Sequence, residues 1–355
     1  MRKLVSILLL SVLVCVSCSD DDPTGQDPGR NPGPTPDPGP GKENPYKTGK
    51  DLSKSTSVQW DNELVNNDYF MLGYGYDATG NYAHPASVKN RVIDMEKLAV
   101  DDWNITIMRA SSSSAELLLE GTQKECITYL AKKAGFSQQE ISKYKNLFKE
   151  KFTSFSNDTS FPDLNYQYYG ISSMPTLYHA YFMFNDRFFT KGDYLDEGFK
   201  SDLANLSSEE IIAKYGTHVL KGILLGGRID YLYRYASASS SATNDTYWWF
   251  LYNLDEYFQF PSGTSPKKPE GESPLKENIY VEAILGARTN PNAWMIDITN
   301  GGKSVTYNGR TDITEDNITL INFRNDDGLI PIYKFVSDPV KKEEVQKAFE
   351  KYLSE

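Results

Sequence analysis

The sequence is poor in the residues that most often carry out chemistry. Three cysteines and three histidines in 355 residues leave no disulfide framework and no zinc site with paired-ligand spacing. His84, His179 and His218 fall in no H-E-x-x-H motif, and the chain has no P-loop and no G-x-S-x-G. Cations are also scarce, with 37 Lys and Arg against 48 Asp and Glu and a formal charge of -11. A nucleic-acid partner would need a clustered basic surface, so that class is set aside. The mean hydropathy of -0.52 excludes a polytopic helical membrane protein. Paired carboxylates for glycoside hydrolysis cannot be picked out by spacing alone. No catalytic residue, metal or cofactor is expected.

What is present begins with an export leader. Arg2 and Lys3 precede an apolar run from Leu4 to Val16, too short to span a bilayer. Ser17-Cys18 then resembles the lipobox of bacterial lipoproteins, which implies residues 1–17 as signal peptide and Cys18 as the site of lipid attachment. Ser19-Asp20-Asp21-Asp22 resembles the acidic stretch that sends lipoproteins of the Bacteroides group to the outer face of the outer membrane, so an anchored, surface-exposed location is expected, with release or carriage on vesicles as a further route. Removing the leader takes away two cations and no anion, leaving 35 against 48, a net -13. Residues 18–46 form a tether, since positions 19–46 hold eight of the 18 prolines and five glycines. Such a stretch buries no apolar surface and extends by about 3.1 Å per residue, to roughly 80 Å. Residues 47–355 read as one large domain.

Local signals inside that domain are mixed. Ser137-Gln138-Gln139-Glu140 is a capping box, followed at helical spacing by Ile141, Tyr144, Phe148 and Phe152. Ser207 or Ser208 caps a helix carrying Ile211 and Ile212. Asp338-Pro339 starts a final helix with a stripe of Val345, Ala348, Phe349, Tyr352 and Leu353. Strand signals lie between: Ile105 and Ile107 alternate with Thr106 and Met108, Ile279, Val281, Ala283 and Leu285 share one face, and Asn300-Gly301 and Asn308-Gly309 read as hairpin turns. Helices inserted irregularly between strands favour an α+β fold with an antiparallel sheet. Asp77-Ala78-Thr79-Gly80 resembles an aspartic-protease loop but has no second copy, and is read as a turn. Asn325-Asp326-Asp327-Gly328 lacks EF-hand spacing and is read the same way.

One motif is specific. Tyr215, Gly216, Thr217, His218, then Gly226 and Gly227, stand at the spacing of the signature of the membrane attack complex/perforin (MACPF) family. Val219 departs mildly from the aromatic usual after the histidine. The closing segment Leu329–Tyr333 with Asp338-Pro339, and the glycine-rich Gly73–Gly80, also resemble members of that family. The resemblance implies a bent, twisted antiparallel β-sheet flanked by two helical clusters. Read by itself, Tyr215–Leu225 is an apolar, β-rich run ended by a glycine pair, which marks a bulge, a bend or close backbone approach. His218 is then a structural residue.

In the family, the two helical clusters unwind into amphipathic hairpins that join a barrel of many subunits. Two segments, 111–178 and 236–279, are long enough to supply such hairpins. In the second, Trp248, Phe250, Tyr252, Leu254, Phe258 and Phe260 fall at even positions and form the candidate membrane-inserting face, which Glu256 interrupts, while Trp249 and Leu251 interrupt the polar odd positions. Against this, Pro261, Pro266, Pro269 and Pro274 interrupt the return half among Lys267, Lys268, Glu270 and Glu272. In the first, Leu164, Tyr166 and Tyr168 alternate well, while Lys143–Lys151 reads as a charged helix face. The expected function is pore formation against competing bacteria or host membranes, by a chain that is monomeric in solution and assembles into rings or arcs on a lipid membrane. The alternative is a non-lytic surface module for adhesion or glycan binding, with a surface glycan or receptor as partner. A hydrolase is the third class.

Overall fold

A computed structural model of the chain describes residues 71–99, 105–152, 155, 165–182, 194–236, 243–258, 267–270, 275–284, 292–297, 313, 318–325 and 327–355. The backbone divides into two units, Met1–Glu43 and Asn44–Glu355, and every described residue lies in the second. Cys18 and the tether fall outside the described residues, as do Leu285, Phe260 and the two Asn-Gly turns.

In chain order the strands are β1 (Tyr74–Tyr76), β2 (Val88–Arg91), β3 (Ile105–Gly121), β4 (Tyr166–Phe182), β5 (His218–Leu220), β6 (Gly222–Gly226), β7 (Arg228–Ala236), β8 (Lys276–Ile284), β9 (Asn292–Asp297), β10 (Thr319–Phe323) and β11 (Leu329–Pro331). The helices are α1 (Met95–Ala99), α2 (Gln123–Lys133), α3 (Gln138–Lys143), α4 (Glu197–Asn205), α5 (Ser208–Tyr215), α6 (Thr243–Phe258) and α7 (Pro339–Ser354). Among the described residues all strand pairings are antiparallel, in a four-stranded sheet ordered β11-β5-β1-β2 and a seven-stranded sheet ordered β10-β6-β4-β7-β8-β9 with β3 on the other edge of β4. The α+β expectation holds, and the sheet is bent, as the family resemblance implies.

The bend has a local cause. β6 and β7 lie along the same edge of β4, β6 against Thr176–Tyr181 and β7 against Tyr166–Ser173. They are two halves of one column, parted at Gly226-Gly227. The register slips at the same level in the neighbours: between Arg109 and Ser112 of β3, between Thr176 and Tyr178 of β4, and between Leu320 and Asn322 of β10. Irregular residues aligned across adjacent strands bend the sheet along a line. Pro175 sits there in a central strand, which is tolerated because it lies beside the bulge. The glycine pair, read as the end of an apolar run and the mark of a bend, stands at the junction of two strands.

The Ser137–Glu140 capping box forms as read and starts α3, and of the two serines Ser207 is the cap of α5, boxed with Glu210; a third box, Thr122–Glu125, not singled out in the sequence, starts α2, and each has both reciprocal hydrogen bonds. Asp338 caps α7 by accepting from the Lys341 amide at 2.7 Å. Val345, Ala348, Phe349 and Leu353 bury one stripe, while Tyr352 is 40% exposed and donates to Asp77 at 2.9 Å. The helix expected to run from Gln138 through Phe152 is shorter. It stops at Lys143, Tyr144 is extended, and Phe148 adopts a left-handed φ of 51° while its amide donates to the Ala78 carbonyl at 2.8 Å. Tertiary hydrogen bonds there outweigh the helical periodicity of the side chains.

Candidate functional site

The signature residues form a junction between helix and sheet. Tyr215 is the last residue of α5, not part of a strand, which corrects the β-rich reading of its segment; its hydroxyl donates to Asp202 at 2.5 Å. Gly216 follows with φ +77°, and a β-carbon there would stand 2.5 Å from the Tyr76 carbonyl oxygen. Thr217 knits the crossing: its amide donates to Tyr76 O at 2.9 Å, and its hydroxyl accepts the Ala78 amide at 3.1 Å. His218 is buried with Nδ1 2.8 Å from Thr217 Oγ1 and its ring against Phe136 and Phe349 at 5.1 and 5.2 Å. Burial, helped by the Lys334 charge, holds its pKa down to about 3, so the ring is neutral. The other glycine-rich segment meets this one directly, because β1 pairs β5 through Gly75↔Val219 and Tyr76↔His218. Asp77 there accepts from the Thr79 amide and hydroxyl at 3.0 and 2.7 Å, a self-closing turn.

The lower half of the large sheet carries a helical cover on each face. Side chains of β7 alternate. Tyr231, Tyr233 and Tyr235 face α6, joining Trp249, Phe250, Leu254, Ile279 and Val281 in a separate apolar cluster. Polar contacts add to it: Glu277 of β8 accepts from Tyr233 Oη at 2.6 Å and Asn253 Nδ2 at 2.9 Å. Leu232 and Arg234 face the other way, toward the segment between β3 and β4. There Cys126 and Leu130 of α2, with Phe152 and Phe155, pack on Leu119 and Tyr168. Arg234 donates to the Phe155 carbonyl at 2.6 Å and lies over the Tyr166 ring at 4.3 Å. Burial pushes the Cys126 thiol up to about 12, so it is inert in this state.

In this structure the candidate inserting residues do not share a face. They lie on a helix, where contact follows the 3.6 period: Trp249, Phe250, Asn253 and Leu254 are buried. Trp248 is 56% exposed, with its ring 5.1 Å from that of Tyr247, and Tyr252 is half-buried. Phe258 is the last residue of α6, and Phe260 lies beyond the described residues. The period-two pattern therefore coexists with a helical one, and the sheet's tyrosine face selects the helix here.

Sequence reasoning missed a buried charge cluster on the face away from α6. Lys151, in a 3-10 turn Lys149–Phe152, pairs with Asp230 and lies 3.9 Å from Glu282. Ser172, Asp230 and Glu282 are cross-strand neighbours in one row. Ser172 donates to Asp230 at 2.5 Å, Arg228 Nε lies 3.1 Å from it, and His84 stands 3.4 Å from Glu282. Burial raises the Asp230 pKa, but Arg228, Lys151 and the hydrogen bonds from Lys151 and Ser172 outweigh it and hold it down to about 2. The only hint in the sequence is the even-position set Arg228, Asp230 and Arg234 beside three odd tyrosines, and a charged strand face ordinarily signals solvent. Among the described residues no group of three or more His, Cys, Asp and Glu is placed to hold a metal ion, and no helix is long and apolar enough to cross a membrane.

The family description MAC/Perforin domain matches residues 48–355. A structure described as a cell invasion protein with a MAC/perforin domain, from Bacteroides thetaiotaomicron VPI-5482, superposes with a TM-score of 0.55 at 19% identity, over 80% of this chain and 60% of that one. GNIP1Aa from Chromobacterium piscinae superposes with a TM-score of 0.52 at 18% identity, over 80% and 55%. The chain thus spans less than two thirds of either relative, and at such identities the likeness is one of fold. No curated protein matches it.

Proposed function

The chain belongs to the MAC/perforin domain family, and on that premise we propose that it forms pores by oligomerising on a lipid bilayer and inserting two β-hairpins. The observation that carries this reading is topological. Both helical covers are insertions between strands that are already hydrogen-bonded neighbours: 122–165 between β3 and β4, and 237–275 between β7 and β8. Each insertion is long enough for two crossing strands of about 9–11 residues. Unwinding a cover therefore lengthens a ladder that exists, and no strand changes partner. Closure of many such sheets into a barrel satisfies every backbone polar group, which an open sheet in lipid does not. The action is mechanical, with no bond broken.

We place the chain on the cell surface as a lipoprotein, acylated at Cys18, extended by the tether of 18–46, and acting as a toxin toward other bacteria or host membranes. Its mature charge weakly repels anionic lipid, so zwitterionic bilayers are the better target. Replacing Cys18 by Ala is expected to abolish incorporation of a labelled fatty acid. The test of the main reading is dye release from zwitterionic liposomes, with ring or arc assemblies in micrographs. A folded chain that binds liposomes of several compositions and releases no dye from any of them sinks it. That outcome favours the non-lytic surface module, which the charged return segment around Pro269 supports.

A further inference from the structure

We infer that the Lys151–Asp230 ion pair is the latch that holds the first helical cover on the sheet and sets the threshold for its release. The inference rests on the pore-forming reading for its purpose, but not for its measurement. Lys151 is 2% exposed and Asp230 0%, and they join an insertion to a strand of the platform it must leave. Removing Lys151 while the site stays dry is costly, because two carboxylates, Asp230 and Glu282, are then left with Arg228 as the one full cation beside them among the described residues.

Asp230 has a second cation, and its position gives the latch its direction. Arg228 lies two residues before it on the same strand, just below the bend. Its guanidinium donates to the carbonyls of Ala83 at 2.9 Å, Ile321 at 2.7 Å and Tyr82 at 3.1 Å. None of these belongs to either insertion, so Arg228 stays where it is when Lys151 departs. Asp230 then keeps Arg228 and Ser172, and Glu282 keeps His84. The sheet retains a paired carboxylate row, while Lys151 goes to water. A closed cover that keeps the row dry makes the pair strong; a lifted one wets it and makes it weak. The contact thus changes from full strength to almost none within a small displacement, which gives release an all-or-none character.

The measurement uses the full chain and reads modification of Cys126, buried in α2 of the same cover, by a thiol reagent, quantified on the Cys126 peptide and without any membrane. Lys151→Met should raise the modification rate about ten-fold or more, and Lys151→Arg should restore it to near the native value. Phe199→Ala, in α4 and outside the cover, supplies the control for general loss of stability. A Lys151→Met chain modified no faster than Phe199→Ala at equal melting temperature overturns the latch. Asp230→Asn gives the same reading should Lys151→Met not fold. Failure of both to fold, with Lys151→Arg folding, also overturns it, because the pair is then a folding requirement. Faster modification with no dye release from liposomes upholds the latch and counts against the pore.

Discussion

Gly226 and Pro175 touch backbone to backbone at the bend of the large sheet. A β-carbon on Gly226 would overlap the Pro175 carbonyl oxygen and stand 3.0 Å from the Thr176 α-carbon. That same carbonyl accepts the Gly227 amide at 3.1 Å. Backbone atoms have nowhere to yield, so the glycine sets how closely the two columns approach at the point where both change direction.

Gly226→Ala should therefore destabilise the chain by about 3 kcal/mol or more, measured by denaturant unfolding. Gly198→Ala is the comparison. Its β-carbon meets only a side-chain oxygen of Asp196, at 2.9 Å; that carboxylate caps α4 through the Gly198 and Phe199 amides but, unlike a backbone carbonyl, can give by a few tenths of an ångström, so the change should cost about 1 kcal/mol, well below Gly226→Ala.

Stability should fall as pH falls, first through His218. Its folded pKa is held down to about 3 against an ordinary 6.5, so below 6.5 the unfolded chain takes up a proton that the folded chain refuses. The contribution is a slope of about 1.4 kcal/mol per pH unit between those values. Asp230, held down to about 2 against 3.8, acts in the same direction: its stabilisation is present above 3.8 and is lost as pH falls toward 2. Unfolding curves at pH 7, 6, 5 and 4 should show the difference between native and His218→Gln shrinking with acid. Parallel curves for the two chains contradict the assignment.

Two neighbouring aromatics of α6 should behave oppositely. Phe250→Ala empties a buried site and should cost about 3–5 kcal/mol. Trp248→Ala removes a side chain that is mostly in water and should change stability by less than about 0.5 kcal/mol, yet lower dye release, because the exposed indole is suited to the headgroup layer. Equal leakage by Trp248→Ala and native chains removes Trp248 from the inserting face.

A tether between α6 and β8 should block leakage reversibly. Asn253 and Glu277 are in direct side-chain contact, so cysteines placed at both, joined through a short bifunctional thiol linker that reduction cleaves, should hold the helix on the sheet. Leakage is expected to vanish when linked and return on cleavage. Undiminished leakage by the linked protein shows that α6 need not leave.

Much of the local structure was legible because its causes lie within four residues of one another. The reciprocal caps at Ser137 and Ser207 and the Asp338-Pro339 start are of this kind. The signature around His218 was legible as a fold label, but its work was not: Gly75 and Gly216 are small because Tyr215 and Tyr76 present carbonyls to them across two sequence-distant segments. The overlong helix at 138–152 failed for the same reason, since Ala78 competes for the Phe148 amide. The charge row was hidden because Lys151, Asp230 and Glu282 signal exposed positions until a fold encloses them.

The order of residues alone settled the class of fold, the family, three of the helix starts and the glycine pair, since these depend on local sterics, caps and periodicity. Which of two competing periodicities the 243–258 segment obeys, where the sheet bends, and which charges face one another were decided only by the assembled chain. Those outcomes depend on which surfaces are left for a segment to cover, and a tyrosine-lined sheet face rewards a helix where lipid would reward a strand.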